Sequence, residues 1–199
     1  MKVVDLFSGL GGFSQAFLDR EHDVVRFDND IRFKEVANTI ICDVLELTPE
    51  DLWDIPDIIL ASPPCTYFTH ANHNPDKDGL KQSIDLTKYT LKIIHETNPR
   101  FWIIENPPGR IKKVLGPPVY KTAWGYWGTS YLKPTWLWGK LPFMDWPTRY
   151  TEPQPKETWN LESFNTHKFA YLCERDSAKR SLVPYAFSEA LCKATEKEI

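Results

Sequence analysis

Two residues stand where a reaction could be run. Cys65 follows two prolines in SPPCTYFTHANH, and Glu105 closes an apolar run in WIIENPPG. Pro63 and Pro64 restrict the backbone ahead of the thiol. A cysteine displayed on such a rigid loop attacks electrophilic carbon once helix dipoles or cations lower its pKa. A carboxyl group shielded by Trp102 and the prolines holds a proton near neutral pH and can deliver it to a ring nitrogen. Upstream, DLFSGLGGFSQAF sets Gly9, Gly11 and Gly12 ahead of a helix, where free backbone N–H groups and the helix dipole can receive a ligand. Position 14 is serine rather than the third glycine of a dinucleotide fingerprint, and no GK[ST] follows. Asp28 in RFDND and Asp43 in ICDV end the next two apolar runs; such acids suit a ribose diol and an adenine amino group. Glycine turn, acid and acid, in that order, outline an adenosine pocket. His70 and His73 share the loop of Cys65, but no further ligand has suitable spacing, and no metal is expected.

These groups need a scaffold. The apolar runs KVVDLF (2–7), DVVRF (23–27), TIIC (39–42), DIILA (57–61) and RFWIIE (100–105) read as strands. Between them the chain predicts helices over 12–20, 31–38, a short segment after Thr48, and 79–97. In the last, Ile84, Leu91 and Ile94 fall on one face and Leu86, Tyr89 and Ile93 on a second, as a helix covering a sheet requires. Five strands in βαβ order imply an α/β fold with a doubly wound, mostly parallel sheet, whose ligands sit outside the carboxyl ends of the strands. Every candidate group lies at such an end.

The texture changes after Gly109. GPPVY, LKPTW, KLPFMDWP and TEPQPKE are rich in proline and tryptophan and interrupt any long helix. TSYLKPTWLWG reads as a hairpin or two strands, THKFAYLC (166–173) as another strand, and 183–197 as a terminal helix with Pro184 in its first turn. The division expected is a cofactor-binding and catalytic core over 1–115, a small irregular recognition region over 116–166, and a strand and helix over 167–199 that complete the core. From Arg110 to Arg180 twelve basic residues face six acidic ones, in a chain whose net charge is −3. Six of the eight tryptophans lie there too, so stacking rings and phosphate-attracting charges coincide. Cys42, Cys65, Cys173 and Cys192 form no CxxC pair and are widely spaced, which suggests neither a four-thiolate zinc site nor a disulfide framework. No run approaches the roughly 18 apolar residues of a spanning helix, and MKVVDLFSG lacks the features of a signal peptide, so a cytoplasmic protein is expected.

Taken together, the motifs resemble the S-adenosylmethionine-dependent cytosine C5 DNA methyltransferases, over residues 3–109. DLFSGLGGFSQAF looks like their cofactor loop, PPC like their nucleophile loop, and Glu105-Asn106 like their proton-donor motif. RSLVPYAFSEALCKA (180–194) is similar, more weakly, to their closing segment. The resemblance implies S-adenosylmethionine as cofactor, held by Phe7, Ser8, Gly9, Leu10, Gly11, Gly12, Asp28, Asn29, Asp43, Val44, Pro64, Ser181 and Leu182. It implies a cytosine flipped out of DNA, with Cys65 and Glu105 catalytic and Pro64 and Asn106 against the base. The family's late arginine pair is absent; Lys133 or Arg110 takes its place in this reading. Asn106 is followed by proline where the family commonly has valine, and GNSV is replaced by RSLV. The short recognition region is closest to compact phage or viral members, with sequence specificity that is short, relaxed or dependent on a partner.

Three rivals share some of these residues. The PP loops at 62–65 and 106–109 also resemble those of amino-directed methyltransferases, but Cys65 and Gly109 stand where an aromatic is needed. Methylation of a tRNA cytosine uses similar chemistry. A catalytically silent nucleic-acid-binding module could retain the same fold.

Overall fold

Four of the five apolar runs become strands largely buried on both faces, and the edge run at Thr39–Ile41 stays largely exposed. In the computed structural model, which describes residues 1–53, 55–70, 72–129, 132–145, 147 and 177–199, β1 (Lys2–Leu6), β2 (Asp23–Asp28), β3 (Thr39–Ile41), β4 (Ile58–Ala61) and β5 (Phe101–Asn106) run parallel. Two more strands, β6 (Tyr120–Ala123) and β7 (Pro134–Lys140), pair antiparallel, and β7 lies antiparallel to β5. The sheet order is β3-β2-β1-β4-β5-β7-β6. Winding therefore reverses between β1 and β4, and the carboxyl ends on either side of that reversal frame a crevice.

Alternate residues of β1, β2, β4 and β5 feed two cores. Val3, Ile58, Leu60 and Ile103 pack on one face with Phe13 and Phe17, the rings of Trp124 and Trp127, and Phe187 and Leu191. Phe17 lies on α1 (Gln15–Asp19), and Phe187 and Leu191 lie on α5 (Tyr185–Glu198). Val4, Leu6, Ile59, Ala61 and Ile104 pack on the other face with Ile93 and Ile94 of α2 (Lys77–Thr97). α2 starts where Asp76 Oδ1 accepts from Gly79 N (2.7 Å) and ends at Asn98 in the left-handed region. Its fully buried positions include Thr87 and Thr90, which the apolar periodicity does not reveal; their hydroxyls donate to Ser83 O and Leu86 O, so burial leaves no donor unpaired. Short α3 (Lys112–Leu115) and α4 (Ser177–Ser181) complete the helices described.

Several expectations change. The helix expected over 31–38 is one 3-10 turn, Ile31–Phe33, capped by Asp30, and Asn38 at φ +59° turns the chain into β3. Of the hairpin or two strands expected over TSYLKPTWLWG, the described residues hold one strand, Pro134–Lys140, whose partners are β5 and β6. Residues 120–123 and 134–140, which the sequence assigns to a recognition region, thus extend the core sheet, because Leu137 and Trp138 are apolar enough to be buried on both faces. The expected strand at 166–173 and most of the remaining recognition segment lie outside the described residues. No helix of the described residues is long and apolar enough to cross a membrane.

Candidate active site

The first wall of the crevice is the turn after β1. Phe7 (φ +60°) and Gly9 (φ +52°) take left-handed conformations, and Gly11 N donates to Ser8 O at 2.7 Å. Asp28, at the end of the neighbouring β2, accepts from Gly9 N (2.8 Å) through Oδ2 and from Asp30 N (2.9 Å) through Oδ1. The acid therefore shapes the glycine turn as well as facing the cleft. Gly12 admits the closing segment: a Cβ there would stand 2.5 Å from Leu182 Cδ1 and 2.6 Å from Val183 O. That contact brings Ser181, Leu182 and Val183 to the cleft from the far end of the chain.

Beneath the turn lies a buried polar chain. Asp5 is fully buried, and its Oδ2 accepts from Ser14 Oγ at 2.6 Å. Ser14 Oγ in turn accepts from Arg26 Nε at 2.8 Å, and Arg26 also donates to Gly11 O and Ala37 O. Loss of hydration pushes the Asp5 carboxyl up to about 7, against the opposing pull of Ser14 and Arg26. Asp5 lines the cleft, and its buried Oδ1 has no hydrogen-bond partner among the described residues.

The second wall comes from β4 and β5. Ala61 pairs with Leu6 on one side and with Ile104 on the other, so the loops leaving these three strands are neighbours. Cys65, half-buried on the β4 loop, and Glu105, buried at the end of β5, line the same cleft. Desolvation raises the pKa of Glu105, opposed by the Lys133 charge and by hydrogen bonds from Thr135 and Ser62. Thr135 Oγ1 donates to Glu105 Oε1 at 3.3 Å. Asn106 donates Nδ2 to Pro63 O at 2.7 Å, and its buried Oδ1 has no partner among the described residues.

The cleft encloses about 850 Å³, including the part open to solvent. It gathers Phe7, Ser8, Gly9, Leu10, Gly12, Asp28, Asn29, Pro64, Asn106, Lys133, Ser181 and Leu182 around Cys65 and Glu105. Four expected residues stand elsewhere. Gly11 packs against the Arg26 guanidinium, where a Cβ would come within 2.5 Å of Cζ. Val44 is buried in the core, while Asp43 caps the 3-10 turn at Val44–Glu46 through Oδ1, which accepts from Leu45 N. Arg110 spends its guanidinium on main-chain carbonyls of the loop after Cys65 rather than facing the cleft. The sequence reading missed Asp5, Phe33, Ser62 and Val183, all of which line the cleft. Asp5 carries a legible signal, an acid inside an apolar strand; Phe33 carries none, because only folding brings its ring near Gly9.

The chain is similar to known proteins. A Methanocaldococcus jannaschii protein assigned as type II methyltransferase M.MJ0563P is 36% identical over 137 residues, covering 57% of this chain and 43% of that protein. A Frog virus 3 protein assigned as a DNA (cytosine-5)-methyltransferase is 29% identical over 160 residues, covering 69% of this chain and 70% of that protein. In structure, the chain is similar to a prophage-encoded DNA modification methyltransferase of E. coli at TM-score 0.50 and 21% identity, over 69% of this chain and 46% of that one. The chain thus spans less than half the length of two of these three. A model of the C-5 cytosine-specific DNA methylase family matches residues 1–117, which hold the glycine turn, Asp28, Cys65 and Glu105. More than half of the chain carries that match, and the chain belongs to the C-5 cytosine-specific DNA methylase family.

Proposed function

We propose that this chain transfers a methyl group from S-adenosylmethionine to carbon 5 of a cytosine in DNA, with Cys65 as nucleophile and Glu105 as proton donor. The observation that carries the reading is the shared cleft: glycine turn, thiol and raised-pKa carboxyl meet across the point where the sheet reverses.

The residues present fit such a cofactor. Asp28, which lines the cleft, is suited to accept from a ribose diol; Asp43, the acceptor expected for an adenine amino group, lies outside the lining. Phe33 offers an apolar ring beside Gly9. The unpartnered Oδ1 of Asp5 is an acceptor for the ammonium of an amino-acid end, and a buried acceptor left unmade costs about 1–3 kcal/mol. When bound, S-adenosylmethionine supplies the sulfonium methyl group that carbon 5 takes.

Carbon 5 of cytosine is a poor nucleophile until the ring is activated. The Cys65 thiolate adds to carbon 6 while protonated Glu105 supports N3, which pushes electron density onto carbon 5. Loss of the carbon 5 proton to a base then lets the thiolate leave and restores the aromatic ring. Burial keeps Glu105 protonated to higher pH, the form the step requires. The base must leave the duplex first, at a cost of a few kcal/mol. Lys133 lines the cleft beside Glu105 and is suited to a phosphate or a base edge. With its short recognition region, the chain is suited to short or relaxed target sites, or to a partner that supplies specificity.

Incubation with labelled S-adenosylmethionine and DNA carrying 5-fluorocytosine tests the reading, because fluorine at carbon 5 leaves no proton to remove and the Cys65 adduct stays trapped. A covalent adduct at Cys65 is the expected result. Transfer to tRNA alone, or cofactor binding with no transfer, overturns it.

A further inference from the structure

We propose that Arg110 is a positioning residue that pins the nucleophile loop to the exit of β5, so that thiol and acid share one support; the proposal rests on the reading of Cys65 and Glu105 above. Arg110 Nη1 donates to Thr69 O (3.1 Å) and Asn72 O (2.9 Å), and Nη2 donates to His73 O (3.2 Å). Its backbone N donates to Phe68 O at 2.8 Å, and Gly109 bridges Thr69. Gly109 is buried against the loop so closely that a Cβ would run into the Phe68 carbonyl. On the other side of Cys65, Asn106 holds Pro63 O. The segment Asn106–Arg110, which follows Glu105 directly, therefore grips the loop both before and after the cysteine.

The loop needs that grip. Pro64, Thr66, His70 and His73 are exposed, and the apolar anchoring around Cys65 is buried Pro63 before it and, after it, Phe68 in the core and the Tyr67 ring against Gly79 of α2. A planar guanidinium reaches several carbonyls in fixed geometry with charge-assisted bonds, which a lysine ammonium does not reproduce. Small misplacement of a reacting atom is costly: about 1 Å is worth roughly 100-fold in rate. The same contacts explain why Arg110 does not serve as the base-gripping cation the sequence suggested, since its donors already face protein carbonyls.

The test uses the full chain with Arg110→Met, which keeps the stem and removes the donors, and Arg110→Lys. The expected result for Arg110→Met is a kcat for methyl transfer to DNA lower by about 10- to 100-fold, with cofactor Kd and KM within about twofold of wild type. Hydrogen exchange in peptides covering 66–76 rises at least about tenfold while Val3–Leu6 stays protected. Arg110→Lys falls between the two on both readouts. Unchanged loop exchange in the Met variant overturns the proposal, as does a loss of DNA affinity that accounts for the whole fall in activity. If Arg110→Met does not fold, wild-type exchange and kcat in Arg110→Lys overturn it equally. If the wild-type chain traps no 5-fluorocytosine, the catalytic reading fails, while the exchange measurement still decides whether Arg110 holds the loop.

Discussion

Asp28 Oδ2 lies 2.8 Å from the amide nitrogen of Gly9, so the acid ending β2 holds open the turn ending β1. The two strands are hydrogen-bonded neighbours, and the glycine's left-handed φ presents its N–H to the carboxylate. Asp28→Ala removes that acceptor and, on the proposed reading, the one for a ribose diol together. Cofactor affinity measured by calorimetry should fall by about 1–3 kcal/mol, and unchanged affinity would remove Asp28 from the site.

Cys65→Ser should bind cofactor nearly as well as wild type and transfer no detectable methyl group, because a serine hydroxyl without an activating base is far less nucleophilic. Transfer assays with calorimetry as control check this. Comparable turnover in the serine variant excludes a covalent Cys65 step.

Glu105→Gln retains a hydrogen-bond donor but no transferable proton, and should slow transfer by about 10²- to 10⁴-fold. In the wild-type chain, kcat should fall as pH rises through the raised pKa of Glu105, since the proposed acid role requires the protonated form. A pH profile that is flat in wild type and unchanged in the variant contradicts the acid role.

Asp5 makes stability depend on pH. Its folded pKa of about 7 lies above the ordinary 3.8, so stability is fully present below about pH 4 and declines as pH rises toward 7, because the unfolded chain ionises first. The loss amounts to about a few kcal/mol. Asp5→Asn keeps an acceptor for Ser14 and should flatten this slope in urea unfolding between pH 4 and 7; an equal slope in the variant assigns it elsewhere.

Gly12→Ala forces a methyl group into Leu182 and the Val183 carbonyl. The side chain can turn aside, but the carbonyl cannot, so the variant should lose about 1–3 kcal/mol of stability and weaken cofactor binding by displacing the closing segment. Thermal unfolding and calorimetry check it, and a wild-type melting temperature would show that Ser181–Val183 is not packed there.

Local chemistry made much of this legible from sequence. Strands β1, β2, β4 and β5 announce themselves because buried parallel strands are near-continuous apolar runs, and the glycine turn, Asp28, Cys65 and Glu105 follow from residues displayed at their carboxyl ends. Pairing across the sheet was not legible. Leu137 and Trp138 looked like part of an irregular insertion, yet they occupy a strand between β5 and β6, because register with Ile104 and Glu105 is a long-range property. The same holds for side chains whose role depends on who meets them. Arg110 reads as a free cation in sequence and becomes a loop clamp only when Thr69, Asn72 and His73 turn their carbonyls toward it. Residue types and order determined which chemistry is present; the tertiary structure decided which groups face the cleft and which are spent holding it, because donors and acceptors distant in sequence find partners only once the sheet has closed.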